Sequence, residues 1–272
     1  MALTLDNLKS YDDIKHLISP FDCILMRGGD LISDVIDVLE KYQLSMNTFT
    51  HIGMVVTSDI LPKCVVNKHE FVLNPDKLYI LESTFSYNVP GFVKGVNDVT
   101  TNKGKFGVQL RELEQIIPFY IHSQKTKVAW CRLLNNPYFN NKQLMQDKFI
   151  SFFDNYHERK YEMDPLGLLA AIFTSFRGMR DVQDKMITKA WKKINKNAND
   201  KDIPIVNFQF CSELIANVYQ CIGVLDERVN TKDVLPMDFF GDKIDHLDCL
   251  LDKPIYFKDW DIKNDKAIIY NL

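Results

Sequence analysis

An α+β fold, in which a small antiparallel sheet packs against helices, is predicted by three features of the chain. Short segments rich in β-branched and aromatic residues recur between residues 51 and 85, separated by Pro, Asn and Asp turn signals. Phe139 to Tyr156 keeps an apolar stripe at Leu144, Phe149, Ile150, Phe152 and Phe153, the mark of a long helix. From Cys211 the chain reads CSELIANVYQCIGVL, which puts Leu214, Ile215, Val218, Cys221, Ile222 and Leu225 on one helical face. With 272 residues, 46% of them hydrophobic and 25% charged, the chain has the balance of a folded protein and the length for a sizeable core. It is read as one domain over residues 1–272.

In chain order, Leu8 to Ile18 reads as a short helix, and Cys23 to Met26 after Pro20 as a strand. Leu31 to Leu39 is apolar at helical spacing. His51 to Thr57, Cys64 to Asn67, Glu70 to Leu73 and Leu78 to Phe85 read as a meander of strands. Gly91, Gly95, Gly104 and Gly107 punctuate a loop region, after which Gln109 to Ile117 looks helical and Val128 to Leu134 like a strand. A sheet of at least five strands follows. Residues 165–205, apolar at first and Lys-rich later, read as an inserted helical pair, and Val206 to Phe210 as a strand leading into the Cys211 helix. Gly223, near the end of that helix, is compatible with fraying. Segments near 135–141 and 192–202, crowded with Asn, Lys and Asp, read as loops.

Composition excludes several classes. A net charge of -3 leaves no global field for a phosphate backbone, so nucleic acid is not an expected partner. The cysteines at 23, 64, 131, 211, 221 and 249 are too widely spaced for a zinc ribbon or a thioredoxin-type pair, and a chain of this size does not need a disulfide framework. Reduced thiols and a cytoplasmic location are expected. The N-terminus, MALTLDNLKSYDDIKHL, has no signal-peptide run. Leu166 to Phe176, the longest apolar stretch, is too short to span a bilayer. With the lysines at 185, 189, 192, 193 and 196 it does suit peripheral contact with an anionic membrane. Gly28-Gly29-Asp30 lacks the spacing and Lys of a phosphate-binding loop, and His246 with Cys249 has no second pair to complete a metal site. No cofactor and no metal are expected.

Three positions carry candidate chemistry. Cys211 begins a helix, where unpaired backbone N–H groups and the positive end of the dipole stabilise a thiolate and can hold an oxyanion. The alternative is a buried small hydrophobe. A nucleophilic Cys needs a base, and of the six histidines only His51 is read as opening a strand, FTHIGMVV, in which Gly53 permits close backbone approach. A capping or surface histidine is the simpler role for it. Glu82 lies inside the apolar strand YILESTF, where ionisation requires a facing cation or donor, and an imidazolium on the next strand would serve. The plain alternative is a solvent-facing Glu on a half-exposed strand.

Taken in order, THIGMVV, YILESTF and FQFCSELI resemble the His, Glu and Cys motifs of the circularly permuted papain-like cysteine hydrolases of the YiiX/YaeF type. That superfamily also holds the NlpC-type cell-wall peptidases and the lecithin:retinol acyltransferases. The likeness extends to PFDCILM at Pro20 to Met26, KYEMD at Lys160 to Asp164 and VLPMDF at Val234 to Phe239, and so spans about residues 21–240. Phe21 stands where the family has Gly before Asp22. Residues 165–205 exceed the family core, and the Cys211 motif is not the Asn-Cys-Glu-His type of the retinol acyltransferases. Members occur in bacteria and large DNA viruses, and the Lys-, Asn- and Ile-rich wording suits a viral protein of the host cytoplasm or virion.

The resemblance implies a permuted papain-like fold with a helical insertion before the Cys helix, and a Cys211–His51–Glu82 triad. Cys211 would attack the carbonyl of an amide, ester or thioester to give a thioester acyl-enzyme, His51 would handle the proton, and Glu82 would orient His51. The backbone N–H of Cys211, with that of Ser212 or a nearby side chain, would meet the oxyanion. Substrates implied are peptides, amino-acid amides or lipid acyl groups; the second oxyanion donor and the oligomeric state stay open. The competing class is a catalytically silent binding or structural module on the same fold, virion-associated in the viral case. Triad geometry separates the two: His51 beyond ~4 Å of Cys211, or Glu82 turned away from His51, defeats the enzyme reading.

Overall fold

The computed structural model describes residues 8–26, 49, 51–66, 68–85, 96–103, 106–123, 127–157, 211–231, 234, 236–239, 250–257, 259–261 and 266–268. Several expectations lie outside these residues. They are the Leu31–Leu39 helix, Gly28-Gly29-Asp30, the glycines at 91, 95 and 104, and KYEMD at 160–164. The 165–205 insertion with its apolar and Lys-rich parts, the strand 206–210, His246 and Cys249 lie outside as well.

The fold is mixed α and β. Strands β1 (Leu8–Lys9), β2 (Cys23–Met26), β3 (His51–Val56), β6 (Tyr79–Phe85), β7 (Phe106–Glu112), β8 (Val128–Cys131) and β9 (Ile255–Phe257) form a seven-stranded sheet in the order β1-β9-β8-β2-β3-β6-β7. Every pairing is antiparallel except β1 with β9. The expected meander is interrupted: β4 (Lys63–Val66) and β5 (His69–Val72) leave to make their own two-stranded sheet, and β6 returns to pair with β3. The departure has a packing cause, because Cys64 and Val66 bury one side of β4 while Lys63 and Val65 stay exposed. A further hairpin joins β10 (Asp259–Asp261) to β11 (Lys266–Ile268).

Helices cover both faces of the large sheet. Ile52, Met54, Val56, Leu81, Val108 and Leu110 share one core with α3 (Lys142–His157) and α4 (Cys211–Ile222). Val55, Ile80, Ile24 and Trp130 share the other with α1 (Tyr11–Ile14) and α2 (Leu113–Pro118). On α3 the buried side chains are Met145, Phe149, Phe152 and Phe153, whereas Leu144, expected on the stripe, is exposed. The N-terminal helix is shorter than its pattern suggested. Leu8 and Lys9 are captured by β9, and a capping box from Ser10 and Asp13 opens α1 at Tyr11, followed by a 3-10 turn over Lys15–Leu17. Gly223 ends α4 cleanly rather than by fraying: its φ of 81° lets Val224 and Leu225 donate back to the carbonyl of Tyr219.

The largest correction concerns residues 109–117. Gln109 to Glu112 belong to β7, paired residue for residue with β6, and only Leu113 to Pro118 is α-helical. Val108 and Leu110 point into one core while Gln109 and Arg111 alternate to the other face. Helical spacing starts later, with Leu113, Ile116, Ile117, Tyr120 and Ile121 all buried on one side and the final turn widened to a π-helix over Phe119–Ser123.

The turn into β2 explains the residue preference at position 21. Phe21 has a φ of 69°, the left-handed region that Gly enters without strain. The turn holds because Phe21 N–H donates to Val55 O and Tyr219 OH donates to Phe21 O. Asp22 completes it, accepting from Ser19 N–H, Leu133 N–H and Trp130 Nε1. Burial raises the Asp22 carboxyl to about 6 against those hydrogen bonds. The Phe21 ring is fully buried, edge-on to Phe149 at 5.7 Å. Losing such a side chain costs about 3–5 kcal/mol, whereas relief of left-handed strain returns about 1–2 kcal/mol. Phe21→Gly is therefore expected to destabilise the protein by about 1–4 kcal/mol in urea denaturation; an unchanged midpoint would show that the ring contributes no more than the relief of strain returns.

Candidate active site

The site forms where β3 begins. His51, Glu82 and Arg111 come from the adjacent strands β3, β6 and β7. The register places Arg111 opposite Ile80, so it lies diagonally across from Glu82 two residues on. Gly53 provides the room: a Cβ there would sit 2.5 Å from Ile80 Cδ1 and 3.2 Å from Glu82 Cβ. A side chain at position 53 would force the Ile80 side chain aside and crowd the Cβ of Glu82.

Glu82 is fully buried and both its oxygens are used. His51 Nε2 lies 2.6 Å from Oε2, and Tyr120 OH donates to the same oxygen at 3.3 Å. Arg111 Nε donates to Oε1 at 2.9 Å, and Nη2 of the same guanidinium lies 2.6 Å from it. Tyr120 sits in the π-helical turn after α2, its ring stacked near that of His51 with centroids 6.0 Å apart. Burial alone would raise the Glu82 carboxyl, but the Arg111 charge and the hydrogen bonds from His51 and Arg111 hold it below the usual carboxylate range.

Cys211 reaches this group from the opposite core, at the first turn of α4. With Nε2 committed to Glu82, Nδ1 is the nitrogen of His51 left for the thiol, whose ionisation the imidazole favours. The backbone N–H groups of Ile52 and Ser212 also favour the ionised sulfur. Burial pushes the thiol up, and it is outweighed by the His51 charge, the His51 hydrogen bond and those N–H groups, so the thiol lies below its ordinary value. Burial likewise pulls the imidazole down, and Tyr120, Cys211 and Glu82 together carry it well above its ordinary range. Both shifts favour a thiolate–imidazolium pair.

His51, Glu82 and Cys211 are thus brought together. Ser212 lies beside them with its hydroxyl turned away, donating to Val234 O at 2.7 Å, and this anchors α4 to the segment leading into the 3-10 turn Pro236–Phe239. Arg111 and Tyr120 were missed by the sequence analysis. The period-two alternation of Val108, Gln109, Leu110 and Arg111 is the signal that could have found the arginine; Tyr120 leaves no local signal.

No family model matches this chain, and no curated protein matches it. The fold is defined as α+β, with a mainly antiparallel sheet between helices. Among the described residues no helix is long and apolar enough to cross a membrane.

Proposed function

We propose that this protein is a cysteine hydrolase or acyltransferase with a permuted papain-like fold, acting on an amide, ester or thioester through Cys211, His51 and Glu82. The observation that carries this reading is one imidazole joined to a buried carboxylate at 2.6 Å, with the Cys211 thiol held below its ordinary value by the charge and hydrogen bonding of that imidazole. The Cys211 thiolate adds to the substrate carbonyl, and the tetrahedral oxyanion is met by N–H groups at the start of α4. As the intermediate collapses, the bond to the leaving group breaks and the imidazolium supplies its proton, leaving a thioester on Sγ. His51 then takes a proton from water or an alcohol, amine or thiol acceptor. That nucleophile attacks the thioester, and Cys211 leaves as the thiolate. Glu82 keeps Nε2 occupied throughout, so Nδ1 stays aimed at sulfur. Peptide amides, amino-acid amides and lipid acyl esters or thioesters are the substrate classes to try.

The test is capture of the acyl-enzyme. The full chain is incubated with a panel of p-nitrophenyl acyl esters, acyl thioesters and amino-acid amides, quenched in acid, and read by intact mass and peptide mapping. An acyl adduct on Cys211 that is absent in Cys211→Ala is expected. An adduct that persists in Cys211→Ala, or none with any class, would shift the reading to a binding module.

A further inference from the structure

We propose that Arg111 is a positioning residue of this site: its guanidinium, buried against Glu82, holds the carboxylate charged and aimed at His51 and so sets the acid edge of the range in which Cys211 acts as a nucleophile. The inference rests on the hydrolase reading and adds to it a residue outside the triad. A triad needs no arginine, and a guanidinium taken out of water is costly unless fully paired. Arg111 is nonetheless 1% exposed: Nε donates to Glu82 Oε1, Nη2 lies 2.6 Å from the same oxygen as an ion-pair contact without hydrogen-bond geometry, and Nη1 lies 3.4 Å from Val96 O. It leaves Oε2 to His51 and Tyr120. The two oxygens of one carboxylate are divided between a fixed cation and the catalytic imidazole, and this division prevents the carboxylate from turning.

The charge count has a chemical consequence. Arg111 and Glu82 sum to zero, and so do the imidazolium and thiolate, so the buried group is balanced when the nucleophile is armed. The titratable groups facing the Arg111–Glu82 pair are His51 from β3, Tyr120 from the turn after α2 and, through His51, Cys211 from α4. Glu112, next along β7, is engaged by Lys77 at 2.6 Å. Without the arginine charge, one of two things follows. Either Glu82 remains an uncompensated anion that opposes thiol ionisation, or it takes up a proton and no longer supports the imidazolium. Both move the acid limb of Cys211 reactivity to higher pH.

The test is the iodoacetamide alkylation rate of Cys211 in the full chain from pH 4 to 9, with the label located by peptide mass spectrometry. Wild type is expected to show an acid limb below the ~8.5 of a free thiol. Arg111→Gln, which removes the charge but keeps a donor for Glu82, is expected to raise that limb by about one pH unit or more, and Arg111→Lys to recover at least half of the shift. Cys23 and Cys131, buried in the sheet, report folding, since they label only when the chain opens. An unmoved limb with a lower amplitude and labelled Cys23 and Cys131 means a purely structural arginine and overturns the proposal. Should the Arg111 variants not fold, the 13C carboxyl resonance of Glu82 in wild type, assigned with Glu82→Gln, decides. It is expected to stay ionised below the Cys211 limb, and protonation above that limb overturns the proposal. If wild-type Cys211 reacts no faster than Cys64 or Cys221, the hydrolase reading fails and takes this inference with it. A depressed limb that Arg111→Gln leaves in place defeats this inference alone.

Discussion

Replacing His51 by alanine is expected to slow alkylation of Cys211 at pH 6 by about ten- to a hundred-fold, because the thiol loses the charge and the hydrogen bond that favour its ionised form. What remains is burial, which raises the thiol, opposed by the N–H groups of Ile52 and Ser212. The acid limb should therefore move up while the rate at pH 9 changes much less. Removal of a folded-state cation acts only on the ionisation step, so the loss belongs at low pH and fades as the thiol ionises unaided. Alkylation kinetics with Cys221, which is partly exposed, as the internal reference measure it. A uniform slowing at every pH would mean that His51 shields access rather than sharing the proton.

Truncating Glu82 to alanine is expected to cost about 3–5 kcal/mol of stability, the largest effect of any single change considered, because Arg111 would be left charged and unpaired in the core. The same truncation at an exposed ion pair gives the comparison. Lys63 and Glu70 lie 2.8 Å apart but are 61% and 51% exposed, so Glu70→Ala is expected to cost no more than about 1 kcal/mol. Urea denaturation of the two variants beside wild type separates these expectations. A similar, small loss in both would show that water reaches Arg111 and that the buried pair contributes as little as a surface one.

Much of the architecture was legible because it follows from local period. His51 to Val56 and Tyr79 to Phe85 are strands, legible as short β-branched and apolar runs bounded by turn signals, and Cys211 to Ile222 is a helix, legible from its apolar stripe. The four-residue strand at Cys23 was legible for the same reason. Where local period was ambiguous, the reading failed. Gln109 to Ile117 contains enough apolar residues at helical spacing to pass for a helix, and only pairing with β6 decides that its first four are strand. Likewise β4 and β5 are strands as expected, but their departure from the main sheet depends on what covers Cys64 and Val66.

The candidate site divides in the same way. Sequence alone singled out Cys211, His51 and Glu82, because a cysteine opening a helix, a histidine opening a strand and a carboxylate within an apolar strand each conflict with, or exploit, their local surroundings. Position 21 drew notice only through the family resemblance, and it took the structure to show there a left-handed turn, favourable to Gly, occupied by Phe. Tertiary structure alone decided who answers Glu82. The register of β6 against β7 brings Arg111 to one oxygen, the widened turn after α2 brings Tyr120 to the other, and the missing Cβ of Gly53 lets the carboxylate reach His51. Periodicity and residue type are properties of neighbours along the chain. Ionisation inside a core depends on charges and donors within a few ångströms in space, and those arrive from positions up to 160 residues apart in the sequence, from His51 to Cys211.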